Sequence, residues 1–344
     1  MSALPTVLVS SVVRSAHQGE SHGGLYLLDL ASGARRHCVD WNTCEINWAG
    51  RGLDRGLRGV AFHKDEIWVA AADELFVFDQ TFRHLRSYRN PYLGHCHEIS
   101  CDGDRLYLTS TGFDSVLEFS LRQERFTRGW LLRGSPNGDR GIQLNYSAFD
   151  PNGDSGPEAG DSVHINNVFA AGGTLFVSAL RLPTLLRIDR TGVKQAAPLP
   201  IKTHNARPFK KRLLFNNTGQ EVAELRDSAG TLLQRYPIPR YQPADLINGD
   251  LPQDHARQAF ARGLCVHPHD AGTTLIVGSS PATVSAFDLD SGAPLASWSL
   301  TMDVRNAVHG LEVWPYALPE MDAAPAQAPR PIETTAPAAA GADV

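Results

Sequence analysis

The sequence predicts an all-β fold, a six-bladed β-propeller closed by strands from both ends of the chain. A short signature comes back six times, as RGVAFH from Arg58, HEISCD from His97, HINNVF from His164, HNARPF from His204, RGLCVH from Arg262 and HGLEVW from His309. In five copies a turn and a second hydrophobic run follow directly, as antiparallel strands require. The units recur at roughly 40–65 residues, the size of a four-stranded blade with variable connections.

Each element can be justified in chain order. The N-terminal segment predicts strands at Thr6–Val13, Gly24–Leu30 and Ala34–Cys38, with no signature before them. The copy at His309–Trp314 has nothing after it. Joined, the two ends make one blade, and this closure removes the free edges of an open sheet. Second strands and their sequels read EIWVAAADELFVFD, RLYLTSTGFDSVLEFS, TLFVSALRLPTLLRID, RLLFNNTGQEVAELRD and TLIVGSSPATVSAFDLDSG. Fourth strands are more polar, such as HLRSYR and RFTRGWLL.

Three connections are long, at Val39–Leu57, Leu132–Asp161 and Tyr241–Arg262, and each precedes a signature. They are expected to cover the face on which the first signature residues sit, since specificity resides on loops carried by rigid scaffolds. A short helix is expected near Asp254–Ala261. Residues 1–317 read as a single propeller domain. Residues 318–344 read as a disordered Ala/Pro-rich tail with too few large apolar side chains to pack.

Composition bounds the function. The 344 residues are 42% hydrophobic and 20% charged, with a formal charge of -5, and no basic stripe is present to neutralise phosphates, so nucleic acid is not the expected partner. No apolar run approaches a membrane span. The apolar start, MSALPTVLVSSVVRSAHQ, lacks a basic stretch before it and reads as a strand rather than a signal peptide. The five cysteines are odd in number and lack CxxC spacing; reduced thiols in a cytoplasmic protein are the simpler reading.

The chemistry lies in the first residue of each copy: Arg58, His97, His164, His204, Arg262 and His309. If the six inner strands surround one axis, these side chains form a ring at one level. Four neutral imidazoles could hold iron, copper, manganese or zinc with an open position for water, dioxygen or substrate. The fork of Arg58 and Arg262 suits the anionic group of a small acidic substrate. The expectation is a metal-dependent oxidative or lytic enzyme, with Glu98, Asn205 and Arg207 assisting catalysis. The alternatives are metal-free group transfer or hydrolysis with His as base, and a non-catalytic propeller that binds a ligand or protein. His95, Glu98, Asn166, Asn167, Asn205, Arg207 and Glu312 are expected to support the ring, Glu98 and Glu312 by orienting imidazoles. The bland alternative is that each makes a hydrogen bond between blades.

One loop resembles a calcium site. DPNGDSGPEAGD places Asp150, Asn152, Asp154, Glu158 and Asp161 at positions 1, 3, 5, 9 and 12 of an EF-hand-like loop, but Ser155 and Asp161 depart from that pattern and no helices flank it. His63, His267 and His269 lie at the far ends of inner strands and read as surface or turn residues.

The signatures also resemble a bacterial family of uncharacterised β-propeller proteins in which RGL, CHLNG-like, PHSPR-like and second RGL segments recur in this order. The matching pieces are RGVAF at Arg58, VHINNV at Val163, THNARPF at Thr203 and RGLCV at Arg262, spanning most of residues 50–315. Val163 stands where that family has Cys, and Asn205-Ala206 where it has Ser-Pro. The resemblance implies the propeller fold and carries no activity.

Overall fold

A computed structural model describes residues 4–17, 19–42, 56–136, 142–252 and 256–323. Its strands form six antiparallel sheets arranged as the blades of a propeller. The inner strands are Val60–His63, Ile99–Asp102, Ile165–Ala171, Thr203–Phe209, Leu264–His269 and Asn306–Val313. The last of these pairs with Thr6–Val13, in a register running from Val7 opposite Val313 to Val13 opposite Asn306. Gly23–Asp29 and Arg35–Asp40 complete that blade, so the two ends of the chain are joined by a β-ladder as expected.

Side-chain alternation makes the blades stack. In Glu66–Ala71, Ile67 and Val69 enter the apolar cluster shared with the terminal blade, and Trp68 and Ala70 enter the cluster on the other side. Successive Cβ atoms of a strand point to opposite faces, and here both faces are covered. A strand such as ELFVFD is therefore apolar from Leu75 to Phe78 rather than at every second residue. Six such clusters, one between each pair of neighbouring blades, make up the described core.

Glycine in the signatures has a steric reason. A Cβ on Gly310 would lie 2.3 Å from the carbonyl oxygen of Arg58, and one on Gly59 would lie 2.5 Å from the amide nitrogen of Ile99. The inner strands converge at these points, and only a residue without a side chain allows the neighbouring backbone to pass.

The Leu132–Asp161 segment departs from expectation. It is not all connection, because Arg125–Pro136 and Ile142–Phe149 form a long hairpin that adds a fifth strand to its blade. The alternation of LNYSAF supports a strand, but its polar side chains disguised it as a loop. No helix occurs at 256–261, and residues 253–255 lie outside the described set; Pro243–Asp245 forms a single 3-10 turn nearby. Beyond Leu318 the chain is still attached at Asp322, which exchanges backbone hydrogen bonds of 3.0 Å with Arg35 in both directions. Residues 324–344 lie outside the described set. Cys38, Cys96, Cys101 and Cys265 are free thiols. Among the described residues no helix is long and apolar enough to cross a membrane.

Candidate functional site

A cavity of about 880 Å³ opens where the inner strands begin. Five of the six ring residues line it: Arg58, His97, His164, Arg262 and His309. The sixth, His204, is set back, 3% exposed, with its ring edge-on to Phe260 at 5.6 Å. Neither of its ring nitrogens has a hydrogen-bond partner among the described residues. The ring centroid of His97 lies 5.1 Å from that of His164 and 5.9 Å from that of His309.

Two of the long connections supply the walls. Ala159, Gly160 and Asp161 come from one, and Arg257, Phe260 and Arg262 from another. Of the Val39–Leu57 connection, residues 43–55 lie outside the described set. Three guanidiniums gather around Phe260, with Arg262 at 4.8 Å, Arg257 at 5.0 Å and Arg14 at 5.1 Å from the ring centroid. Arg257 also pairs with Glu221 at 2.7 Å. Among the described lining residues four are arginines and one, Asp161, is a carboxylate.

Hydrogen bonds assign the imidazoles. His97 Nδ1 is 2.8 Å from the His95 carbonyl oxygen and 3.1 Å from Thr111 Oγ1. Thr111 donates its own proton to the Ile165 carbonyl, so His97 Nδ1–H is the donor and Nε2 keeps its lone pair. The Arg58 guanidinium lies 3.2 Å from the same Nδ1 as a neighbouring charge. Arg262 Nη1 is 2.5 Å from His309 Nε2 and must donate, because a guanidinium cannot accept. His164 Nδ1 is 2.8 Å from Asp161 Oδ2, and Arg181 Nη1 is 3.1 Å from Asp161 Oδ1. His164 Nδ1–H therefore donates to a carboxylate that is itself held in place. Its Nε2 has no partner among the described residues.

Protonation follows from these surroundings. Burial holds His97, His204 and His309 well below the usual imidazole range, and the guanidinium charge of Arg58 or Arg262 pushes them further down. His164 is lowered by burial too, but Asp161 opposes the shift through a hydrogen bond and its charge. All four are thus neutral at pH 7.

The backbone at this mouth is unusual. His95 and His164 have φ of 51° and 58°, and Asn205, next to the recessed His204, has 52°, all in the left-handed region that side chains with a Cβ seldom occupy. Register shifts at Ile165/Asn167 and His204/Arg207 accompany them. Such conformations cost of order 1 kcal/mol each or more and persist where surrounding contacts impose them.

The expected metal set is not assembled. Among the described residues no three His, Cys, Asp or Glu side chains are placed to hold a metal ion. The reason lies in the ring's own composition. Arg262 occupies Nε2 of His309, Arg58 lies against His97, and His204 is withdrawn behind Phe260. Guanidiniums among the imidazoles also repel a divalent cation. The calcium-like loop likewise does not converge. Asp150 Oδ1 accepts from the Asn152 backbone, Asn152 donates to the Phe126 carbonyl, Glu158 offers its main chain to Arg133, and Asp161 turns to His164.

The supporting residues divide between two sides of the ring. Asn166 donates to the Thr203 carbonyl and Asn167 to the Ala206 carbonyl, each at 2.7 Å and each across to the next blade. Glu98, Asn205, Arg207 and Glu312 do not line the axial cavity with the histidines. They face a second cavity further along the inner strands. Glu98 and Glu312 therefore orient no ring imidazole. They lie one and three residues beyond His97 and His309, which carries them along the axis past the ring. His63, 3.7 Å from Asp104, and the His267–His269 pair lie away from both cavities.

Asp161, Thr111, Phe260, Arg14 and Arg257 were not singled out for this site from sequence. The Asp161–His164 spacing of three residues was legible, but the calcium-like pattern claimed Asp161 for another role.

No family model matches the chain, and no curated protein matches it. Among solved structures, a chain in the crystal structure of a nidogen/laminin complex is similar over 89% of this chain and 97% of that one, with a TM-score of 0.51 and 11% identity. Virginiamycin B lyase from Staphylococcus aureus, with quinupristin, is similar over 75% and 73%, with a TM-score of 0.43 and 14% identity. Dihydro-heme d1 dehydrogenase NirN is similar over 86% and 54%, with a TM-score of 0.40 and 12% identity. The first supports the propeller fold, and at such identities no activity is carried across.

Proposed function

We propose that the axial cavity is a metal-free acid–base site for a small anionic substrate, with His164 as the base. The observation that carries this reading is the Asp161–His164 pair in a cavity that four guanidiniums also line. A base needs a free lone pair, a fixed tautomer and a way to stabilise the proton it gains. Asp161 supplies the second and third, and the first is Nε2. Arg58 and Arg262 hold the substrate's anionic group and the negative charge that develops when the proton leaves. His97, whose Nε2 also keeps a lone pair, stands 5.1 Å away across the cavity, close enough to serve as a second proton carrier. Proton abstraction of this kind suits a lytic elimination, and equally the activation of a hydroxyl or water for transfer or hydrolysis. No step requires a metal, which the guanidiniums among the imidazoles disfavour.

The test is a two-stage measurement. Titration calorimetry with sulfate, phosphate and short dicarboxylates checks the anion site on wild type and Arg262→Ala. A panel of anionic compounds is then screened for turnover with wild type and His164→Ala. Anion binding lost in the arginine variant, with turnover lost in the histidine variant, supports the reading. Binding that persists in Arg262→Ala, or turnover that survives His164→Ala, would remove it.

A further inference from the structure

On the other side of the histidine ring lies a separate cavity of about 280 Å³. Its walls are inner-strand residues, apolar at Val60, Phe62, Val168, Leu264 and Leu311. Its titratable carboxyl and guanidinium groups are uneven: two carboxyls, Glu98 and Glu312, and one guanidinium, Arg207. The arrangement is built rather than incidental. Glu98 Oε2 accepts from Asn205 Nδ2 at 2.8 Å and Oε1 from the Ile99 amide at 3.2 Å. Asn205 is fixed in turn, with its Oδ1 accepting from the Gly263 amide at 3.0 Å and from Asn216 at 3.1 Å. Arg207 lies over the Phe169 ring, 5.5 Å from its centroid.

Opposite charges sharing a confined space normally pair. Here they do not. Among the described residues neither Arg207 nor Glu312 makes a side-chain hydrogen bond or ion pair, and Arg207 lies beyond ion-pair distance of both carboxyls. The charges are nevertheless felt. Burial and then the charge of Glu312 raise Glu98 to about 8, and burial raises Glu312 against the opposing charge of Arg207. The cavity thus presents two buried carboxyls and a guanidinium not bonded to either, beside an apolar wall.

We propose that this second cavity binds a small zwitterion, an α-amino acid with an apolar side chain. The ammonium would sit between Glu98 and Glu312, the carboxylate against the Arg207 fork, and the side chain against Leu264 and Leu311. Such a ligand supplies the cation that relieves two neighbouring carboxyls and the anion that Arg207 lacks. The site is independent of the acid–base reading and can stand or fall without it.

The experiment is calorimetric titration of the full chain with L-leucine, with isopentylamine, which lacks the carboxylate, and with isocaproate, which lacks the ammonium. Leucine is expected to bind most tightly. Each missing charge-assisted contact is expected to weaken binding about tenfold to a hundredfold. Arg207→Met and Glu312→Gln should each bring leucine down to the affinity of the matching one-charge analogue. Equal affinity for leucine and isopentylamine would make this a plain cation site, and equal affinity for leucine and isocaproate a plain anion site; either overturns the proposal. So does the absence of leucine binding to wild type, a result that does not depend on whether the variants fold.

Discussion

Asp161 holds His164 by a 2.8 Å hydrogen bond from Nδ1 to Oδ2, three residues apart in a chain that turns sharply between them. His164 itself sits at φ 58°, and this backbone conformation helps to bring its ring back over the preceding carboxylate. The pair makes one imidazole of the ring different from the other three, which are deeply buried and, among the described residues, have no carboxylate within hydrogen-bond reach.

Asp161→Asn should lower the pKa of His164 further. Burial already depresses it, and the carboxylate is the group that resists the shift. Following the His164 ring protons by NMR across pH checks this. An unchanged midpoint would mean that the hydrogen bond has little electrostatic weight.

If the acid–base reading holds, His164→Ala should reduce turnover of any substrate found by about a hundredfold to ten-thousandfold, the range for removing a positioned base. Asp161→Asn should cost less, because Nε2 remains. Steady-state kinetics of the two variants give the comparison, and the reverse order would argue against His164 as the base.

Arg262→Ala should weaken sulfate or phosphate binding about tenfold or more, since a charge-assisted donor is lost. The same change frees Nε2 of His309 and removes a positive neighbour from His97, His204 and His309. Their pKa values should therefore rise even as anion affinity falls, a combination that NMR titration and calorimetry can read separately.

Acid should destabilise the propeller. His97, His204 and His309 have folded-state pKa values well below the ordinary 6.5, so below pH 6.5 the unfolded chain binds more protons than the folded one. Stability is then fully present above pH 6.5 and declines as pH falls below it. Each histidine contributes a slope of up to about 1.4 kcal/mol per pH unit. Chemical denaturation between pH 7.5 and about pH 5 measures the slope, and His204→Phe should reduce it.

Gly310→Ala should cost about 1–3 kcal/mol of stability, as overpacking does, because its Cβ would meet the Arg58 carbonyl rather than a flexible side chain. Gly103→Ala is a suitable control, since space is open there and the penalty is confined to its φ of 61°. Denaturation midpoints of the two variants separate close approach from backbone conformation.

The sequence by itself determined the blade count, the inner strands and the closure between Thr6–Val13 and Asn306–Val313. These follow from local alternation and from a signature that recurs because each blade solves the same packing problem. It also determined the six signature residues at or near the inner strands, and five of them do meet in one cavity. Glycine after Arg58, Arg262 and His309 marked where backbones converge, although its meaning needed the neighbouring strand to be seen.

What the tertiary structure decided was how those residues divide their partners. Arg262 to His309, Arg58 beside His97 and His204 behind Phe260 are contacts across 39–56 positions of sequence, set by blade packing rather than by spacing. Glu98, Asn205 and Arg207 share the signatures with the ring residues, and only the 3.3 Å rise of each strand step along the axis separates them into another cavity. Sequence proximity placed them beside the histidines; the direction of the strands placed them on the far side.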